Sequence, residues 1–216
     1  MSATRVVVLG MHRSGTSLVA GLLHRAGVYM GTYFRAPDAA NPSGYFEDIV
    51  WRNVNKTILN CAGGTWWQPP PQERICLAAA HIWPLVAALV EDRDTSSLWG
   101  FKDPRTCLTL RVLAPLLEPF RIIYVEREEE QVIESLKRRA ELRGYEEPDR
   151  HWRALCEHYR LQAEEAMADR PVLRVRFEEV TSRERSGDVL HALAGFVGIE
   201  EGRLRDAAEG FIRYRS

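Results

Sequence analysis

The sequence predicts an α/β domain of three layers, a mostly parallel central sheet covered by helices on both faces. Three observations carry this. Short apolar runs alternate with longer stretches whose apolar residues recur every three or four positions. The short runs lack the in–out alternation of a half-exposed sheet, so both faces of each strand are buried. No repeat, low-complexity tract or linker breaks the 216 residues, which predicts a single domain over 1–216.

Arg5-Val-Val-Val-Leu9 is apolar and β-branched and ends at Gly10, the pattern of a buried central strand. Leu18, Val19, Leu22, Leu23 and Ala26 share one helical face, with Gly27 as C-cap. Residues 29–46 hold Pro37, Asp38, Asn41, Pro42, Ser43 and Gly44 and form a long surface loop, a feature that usually carries function. A helix follows over 47–60. Gly63 to Pro71 is irregular, and 72–92 is a helix that Pro84 kinks or divides. Strands are expected at 97–101, 120–125 and 172–177. Helices fill the gaps: from 105 to about 117, after 127 with Val132, Ile133, Leu136 and Ala140 inward, over 149–168, and around 189–197.

The 29 Lys and Arg nearly balance 30 Asp and Glu, which argues against a nucleic-acid coat or a polybasic membrane anchor. Only Lys56, Lys102 and Lys137 are lysines, a weak lean toward anion binding by arginine. Cys61, Cys76, Cys107 and Cys156 form no C-x-x-C pair, so neither a disulfide framework nor a zinc site is expected. No signal-peptide pattern opens the chain, and the apolar stretch Leu77–Val90 is interrupted by His81 and Pro84. A cytoplasmic protein without a membrane span is expected. Its oligomeric state is not legible.

The segment richest in chemistry is Gly10-Met-His-Arg-Ser-Gly-Thr-Ser17, between a strand and a helix. Backbone N–H groups and the helix dipole converge there on an anion. The G-x-x-x-x-G spacing matches the phosphate loop of NTPases, but Thr16 stands where that motif has Lys. The cation is Arg13 instead. The third strand ends Val125-Glu126-Arg127 and supplies no Asp for Mg²⁺, so no metal is expected.

His12-Arg13-Ser14-Gly15-Thr16-Ser17 after a strand resembles the 5′-phosphosulfate loop of sulfotransferases that use 3′-phosphoadenosine 5′-phosphosulfate (PAPS). Arg127 with Ser135 eight residues on is similar to that family's 3′-phosphate pair. Gly100-Phe-Lys-Asp-Pro-Arg105 resembles the Lys-x-Pro strand end of the Golgi-type and bacterial carbohydrate branches, and Asn41-Pro-Ser-Gly-Tyr-Phe-Glu-Asp48 the Gly-Tyr-Phe-Glu stretch of small bacterial members. The four elements span residues 5 to about 140 in the family's order. Departures are Glu128-Glu129-Glu130 after the 3′-phosphate Arg, Pro104 where the cytosolic branch has its catalytic His, and a C-terminal tail with Arg213 and Arg215 in place of an Arg-Lys-Gly loop.

The resemblance implies a P-loop-type fold and sulfuryl transfer from PAPS, leaving PAP, to a hydroxyl of a carbohydrate or small metabolite, without metal. It gives residues 12–17 the 5′-phosphosulfate, Arg127 and Ser135 the 3′-phosphate, and Arg13 and Lys102 the charge on the sulfonate. Glu47 is the expected base, with Asp48, His12 and Asp103 in reserve. Bland readings stand beside these: Glu47 as a helix-start carboxylate, Arg127 as partner of the adjacent glutamates, Lys102 as an exposed strand-end lysine, Arg105 as a salt-bridge partner. Tyr45, Trp66 and Trp67 either stack on a ligand or cap the core. The competing functions are a kinase with a divergent phosphate loop and a non-catalytic nucleotide-binding module.

Overall fold

The computed structural model describes residues 3–142, 144 and 147–214; Arg215 lies outside them. The elements run β1 (Thr4–Leu9), α1 (Thr16–Arg25), α2 (Ile49–Cys61), α3 (Gln72–Ala80), α4 (Trp83–Arg93), β2 (Leu98–Lys102), α5 (Thr106–Leu117) and β3 (Arg121–Glu126). There follow α6 (Glu129–Glu141), α7 (Asp149–Met167), β4 (Val172–Arg176), α8 (Phe177–Val180), α9 (Ser186–Val197) and α10 (Glu201–Ala208). The four strands are all parallel, in the order β2-β1-β3-β4.

Strand pleating divides the core. Val6 and Val8 face one layer with Val19, Leu22, Leu23, Leu193 and Leu204, so α1, α9 and α10 cover that side. Val7 and Leu9 face the other layer with Trp51, Phe101, Leu110, Leu136 and Trp152, beneath α2 to α7. This is the three-layer α/β fold that the apolar runs predict. Trp51 is fully buried in it, its ring stacked with centroids 3.9 Å from Phe101 and 6.1 Å from Trp99.

The predicted elements recur with small shifts at their ends. Pro84 sits in the first turn of α4, where its missing N–H costs nothing, and the break before it bends α3 against α4 by 73°. The sequence reading missed α8 and α10. The first has four residues, too few for a period; the second buries only Leu204, Ala207 and Ala208 among charged neighbours. Among the described residues no single helix is long and apolar enough to cross a membrane, although α3 and α4 pass that test as a bent pair.

Parallel strands bring their C-terminal ends to one edge. β1 is central, with β2 and β3 on either side, so the chain crosses from one flank of β1 to the other and leaves a crevice at its end. Gly10 to Arg13, Lys102 to Arg105, Arg127 and Phe177 all emerge there.

Replacing Trp51 by Ala should cost about 3–5 kcal/mol of stability in urea titration. Leu77→Ala, at a side chain 70% exposed, should stay within about 0.5 kcal/mol.

Candidate active site

The loop after β1 is shaped by close approach. A Cβ on Gly10 would lie 2.5 Å from the Val125 carbonyl oxygen, and one on Gly15 would lie 2.2 Å from the Phe177 ring. Both glycines also have positive φ, 147° and 99°. Arg13 is left-handed as well, at φ 74°, and the Ser14 N–H closes the turn onto the Met11 carbonyl at 3.1 Å. Gly15 caps α1 without any side-chain hydrogen bond, and no acidic residue lies in the first turn. The helix therefore presents its N-terminal dipole and backbone N–H groups to the crevice.

The turn sends Arg13 toward the cleft and Ser14 inward. Ser14 Oγ is buried without a hydrogen-bond partner among the described residues, and it lines a small pocket behind the loop with Met11, Tyr124 and Cys156. Ser14 is thus not among the residues that line the main cleft. The main cleft, about 240 Å³, is lined by His12, Arg13, Gly15, Thr16, Ser17, Glu47, Lys102 and Arg127, all predicted site residues.

Arg13 joins two of the predicted groups. Its Nε donates to Ser135 Oγ at 2.8 Å, and its carbonyl accepts from Arg127 at 3.0 Å. Ser135 is therefore held against Arg13. Arg127 also donates to Gln131 Oε1 at 3.1 Å and lies 4.7 Å over the Phe177 ring. The neighbouring glutamates turn outward: Glu128 meets Arg176 at 3.1 Å, and Glu130 meets Arg153 at 2.7 Å.

Lys102 and Glu47 meet across the crevice. Lys102 Nζ donates to Glu47 Oε1 at 3.2 Å and to Ser17 Oγ at 3.3 Å, and both charged side chains are almost wholly buried. Burial alone would raise the Glu47 pKa, but Lys102, Arg105 and Arg35 hold it below the ordinary carboxylate value. Burial lowers Lys102, opposed by Glu47 and Asp103. Neither bland reading of the pair fits: Lys102 is not exposed, and Asp48, not Glu47, caps α2, accepting from Val50 N–H at 2.7 Å.

The reserve residues have other partners. Asp48 Oδ2 accepts from Arg93 at 3.0 Å. Asp103 accepts from Arg105 at 2.7 Å and from Asn55 at 3.2 Å, and Asn55 in turn donates to Thr106 and accepts from Thr109. Burial pushes Asp103 up, against the pull of Arg105. Arg105 is a salt-bridge partner. Trp66 packs on the core, 4.4 Å from the His12 ring, and its carbonyl accepts from Tyr159 at 2.8 Å. Tyr45 lines the cleft and donates to Asp38 at 2.5 Å beneath the Arg35 guanidinium.

The sequence reading missed Asn41, Arg139, Phe177 and Thr181 in the cleft wall. Two signals were available: Arg139 lies four residues after Ser135 on the same helix, and Phe177 directly follows a strand. Asn41 Nδ2 donates to Ser17 Oγ at 3.4 Å and thereby ties the long loop to the phosphate loop. Among the described residues, no group of three or more His, Cys, Asp or Glu is gathered as a metal site.

Fold and cleft together define an α/β protein whose glycine loop after β1 carries Arg13 and meets Lys102, with Thr16 where the NTPase motif has lysine. A model of the sulfotransferase family matches residues 5–201, and the chain belongs to that family. Solved structures agree in fold. The sulfotransferase domain from the curacin biosynthetic pathway is 18% identical, with TM-score 0.59 over 94% of this chain and 76% of that one. Sulfotransferase STF9 from Mycobacterium avium is 14% identical, with TM-score 0.58 over 96% and 68%. Sulfotransferase STF1 from Mycobacterium tuberculosis is 11% identical, with TM-score 0.54 over 97% and 71%. No curated protein matches the chain.

Burial, then the fields of Arg105, Arg139, Lys102 and Arg13, push His12 well below the ordinary imidazole value of 6.5, so it is neutral at neutral pH. The unfolded chain takes up that proton near 6.5 and the folded chain does not. Stability from keeping His12 neutral is therefore full above about pH 6.5 and is lost as the pH falls. His12→Asn should flatten the decline in Tm between about pH 6.5 and 5, measured by thermal melts across that range.

Proposed function

We propose that the chain transfers a sulfuryl group from PAPS to a hydroxyl of a carbohydrate or small metabolite. The observation that carries this reading is the position of Lys102, with its ammonium on the hydroxyl of Ser17 at the end of the phosphate loop. In an NTPase loop the corresponding hydroxyl goes to Mg²⁺ and the loop's own lysine reaches the phosphates. Here a buried lysine from β2 stands at that hydroxyl and Thr16 replaces the loop lysine.

The residues present fit such a donor: an uncapped helix N-terminus without acidic residues, and Arg13, Lys102 and Arg127 lining one cleft. When bound, PAPS supplies a sulfuryl group on a phosphate leaving group. The backbone of residues 13–17 with the Thr16 and Ser17 hydroxyls holds the 5′-phosphate, and Arg127 with Ser135 holds the 3′-phosphate. Both lone pairs of Ser17 Oγ face N–H donors, Asn41 and Lys102, which leaves its own proton for a ligand oxygen. Arg13 and Lys102 stabilise negative charge as it develops on the bridging oxygen and sulfonate. Glu47, ionised at neutral pH, takes the acceptor hydroxyl proton. As Lys102 turns its charge toward the sulfonate, it withdraws from Glu47 and strengthens that carboxylate as a base.

PAP should raise Tm by mass action, while ATP with Mg²⁺ should do markedly less. Arg127→Ala should weaken PAP by about 10- to 150-fold, in line with the loss of a charge-assisted hydrogen bond, and should change 3′-dephosphorylated nucleotides much less. Equal stabilisation by ATP–Mg²⁺ would favour the kinase reading. Equal losses for both nucleotides would make Arg127 a structural residue of the loop.

Glu47→Gln should lower single-turnover sulfate transfer by about 10²–10⁴-fold with PAP affinity nearly unchanged. Lys102→Ala should also lower it and be partly restored in Lys102→Arg. Near-normal transfer by Glu47→Gln would remove Glu47 from the proton transfer.

A further inference from the structure

The segment after α10 lies beyond residue 201, where the family match ends, yet Phe211 and Arg213 line the same cleft as Glu47 and Lys102. The Phe211 ring packs edge to face on Phe46, with centroids 5.8 Å apart. Phe46 packs in turn against Phe34 at 5.7 Å and His24 at 6.1 Å, and Arg25 covers Phe211 at 4.4 Å. Gly21 of α1 makes room for both rings: a Cβ there would lie 2.4 Å from Phe211 Cζ and 2.8 Å from Phe46 Cε2.

Phe46 has the left-handed backbone, at φ 49°. A bulky residue holds that conformation only where its surroundings over-determine it, and such strain gathers at functional sites. The consequence here is directional. Tyr45 and Glu47, on either side, are buried, and all three residues line the cleft, while Phe46 also packs with the partly buried residues of the α1 and α10 layer. The backbone next to Glu47 is held as well, its carbonyl accepting from Arg35 N–H at 2.9 Å. The rings of Phe34, Phe211 and His24 thus pack against the turn one residue before the carboxylate, beside the hydrogen bonds that Arg35 and Asp38 make to its neighbours.

We propose that Phe211 is a positioning residue for Glu47: its ring clamps Phe46 in the left-handed turn and so sets the Glu47 carboxylate against Lys102. The proposal rests on the reading of Glu47 as the base, and it makes the C-terminal segment part of the catalytic apparatus. Phe211 lines the cleft, and the ring contact this reading uses is the one with Phe46. It acts through Phe46. The charged groups around the carboxylate are Lys102 from β2, Arg105 beyond it, Arg35 from the loop, Arg52 from α2 and the like charge of Asp103.

The test uses the full chain, with Glu47 followed by ¹³C-detected titration and PAP affinity measured on the same proteins. In Phe211→Ala the clamp is lost, the distance to Lys102 grows, and the Glu47 midpoint should rise toward the ordinary carboxylate range. Phe211→Leu, which fills space without an aromatic edge, should show a smaller rise, and Phe211→Tyr should keep the parent midpoint. PAP affinity should stay within about twofold in all three. Sulfate transfer should fall about 10- to 10²-fold in Phe211→Ala, the scale expected for a displaced catalytic group. A Glu47 midpoint unchanged in Phe211→Leu and Phe211→Ala overturns the proposal; if the Ala protein fails to fold, Leu alone decides. A loss of PAP affinity as large as the loss of transfer also overturns it, since Phe211 would then serve the donor. Full activity of Glu47→Gln would fell the base reading separately, while the titration still decides the clamp.

Discussion

The cleft depends on one buried ion pair. Lys102 and Glu47 are brought from a strand end and a loop to within 3.2 Å, where little water reaches either. Burying two charges is costly unless geometry and further hydrogen bonds compensate. Here Asp103 and Arg105, buried beside them and bonded to each other at 2.7 Å, make a second neutral pair. Asn55 ties this second pair to α2, whose N-cap Asp48 directly follows Glu47. The Asp103–Arg105 pair is local, two residues apart at the end of β2, whereas Lys102 and Glu47 come from segments 55 residues apart, so the end of β2 and the long loop must both reach their places for that pair to form. Removing one member would leave an uncompensated charge in the interior.

A second constraint is backbone crowding where the parallel strands end. Gly10 passes within van der Waals reach of the β3 carbonyl, and Gly15 rests on the ring that follows β4. Between them Arg13 adopts the left-handed region, and Arg127 is bonded to the carbonyl of that same residue. Sheet register, loop conformation and cation placement are therefore linked. Arginine suits this because one planar guanidinium can bond a carbonyl, accept an aromatic face and still present N–H groups to an anion. The outward turn of Glu128, Glu129 and Glu130 onto Arg153 and Arg176 belongs to the same arrangement, since it keeps carboxylates at the start of α6, where the dipole favours them, and away from the cleft.

The nearly neutral chain hides a strongly polarised interior edge. Arg13, Lys102, Arg127, Arg139 and Arg213 line the cleft with Glu47 among them. His12, ringed by four cations, escapes their repulsion by staying neutral. The cations of the cleft favour an anionic ligand, and one carboxylate, Glu47, lies beside Lys102.

The sequence by itself determined the fold class, nearly all the elements and the glycine loop after β1, because strand burial, helical periodicity and glycine spacing are local properties written in adjacent residues. Its resemblance to the sulfotransferase family also placed Glu47, Lys102, Arg13 and Arg127 among the candidates. It left open which role each takes, because burial and partner choice arise between segments far apart in the chain. Asp48 and Glu47 are neighbours in sequence, yet one caps a helix and the other meets Lys102. Ser14 and Ser17 sit in one loop, yet a single left-handed residue turns the first inward and leaves the second on the cleft. Trp66 resolved as core by packing under His12, and Phe211, invisible to any motif, reached the site only because α10 folds the chain end back over α1. Those outcomes depend on long-range packing and on charge balance in a low-dielectric interior, which only the tertiary structure supplies.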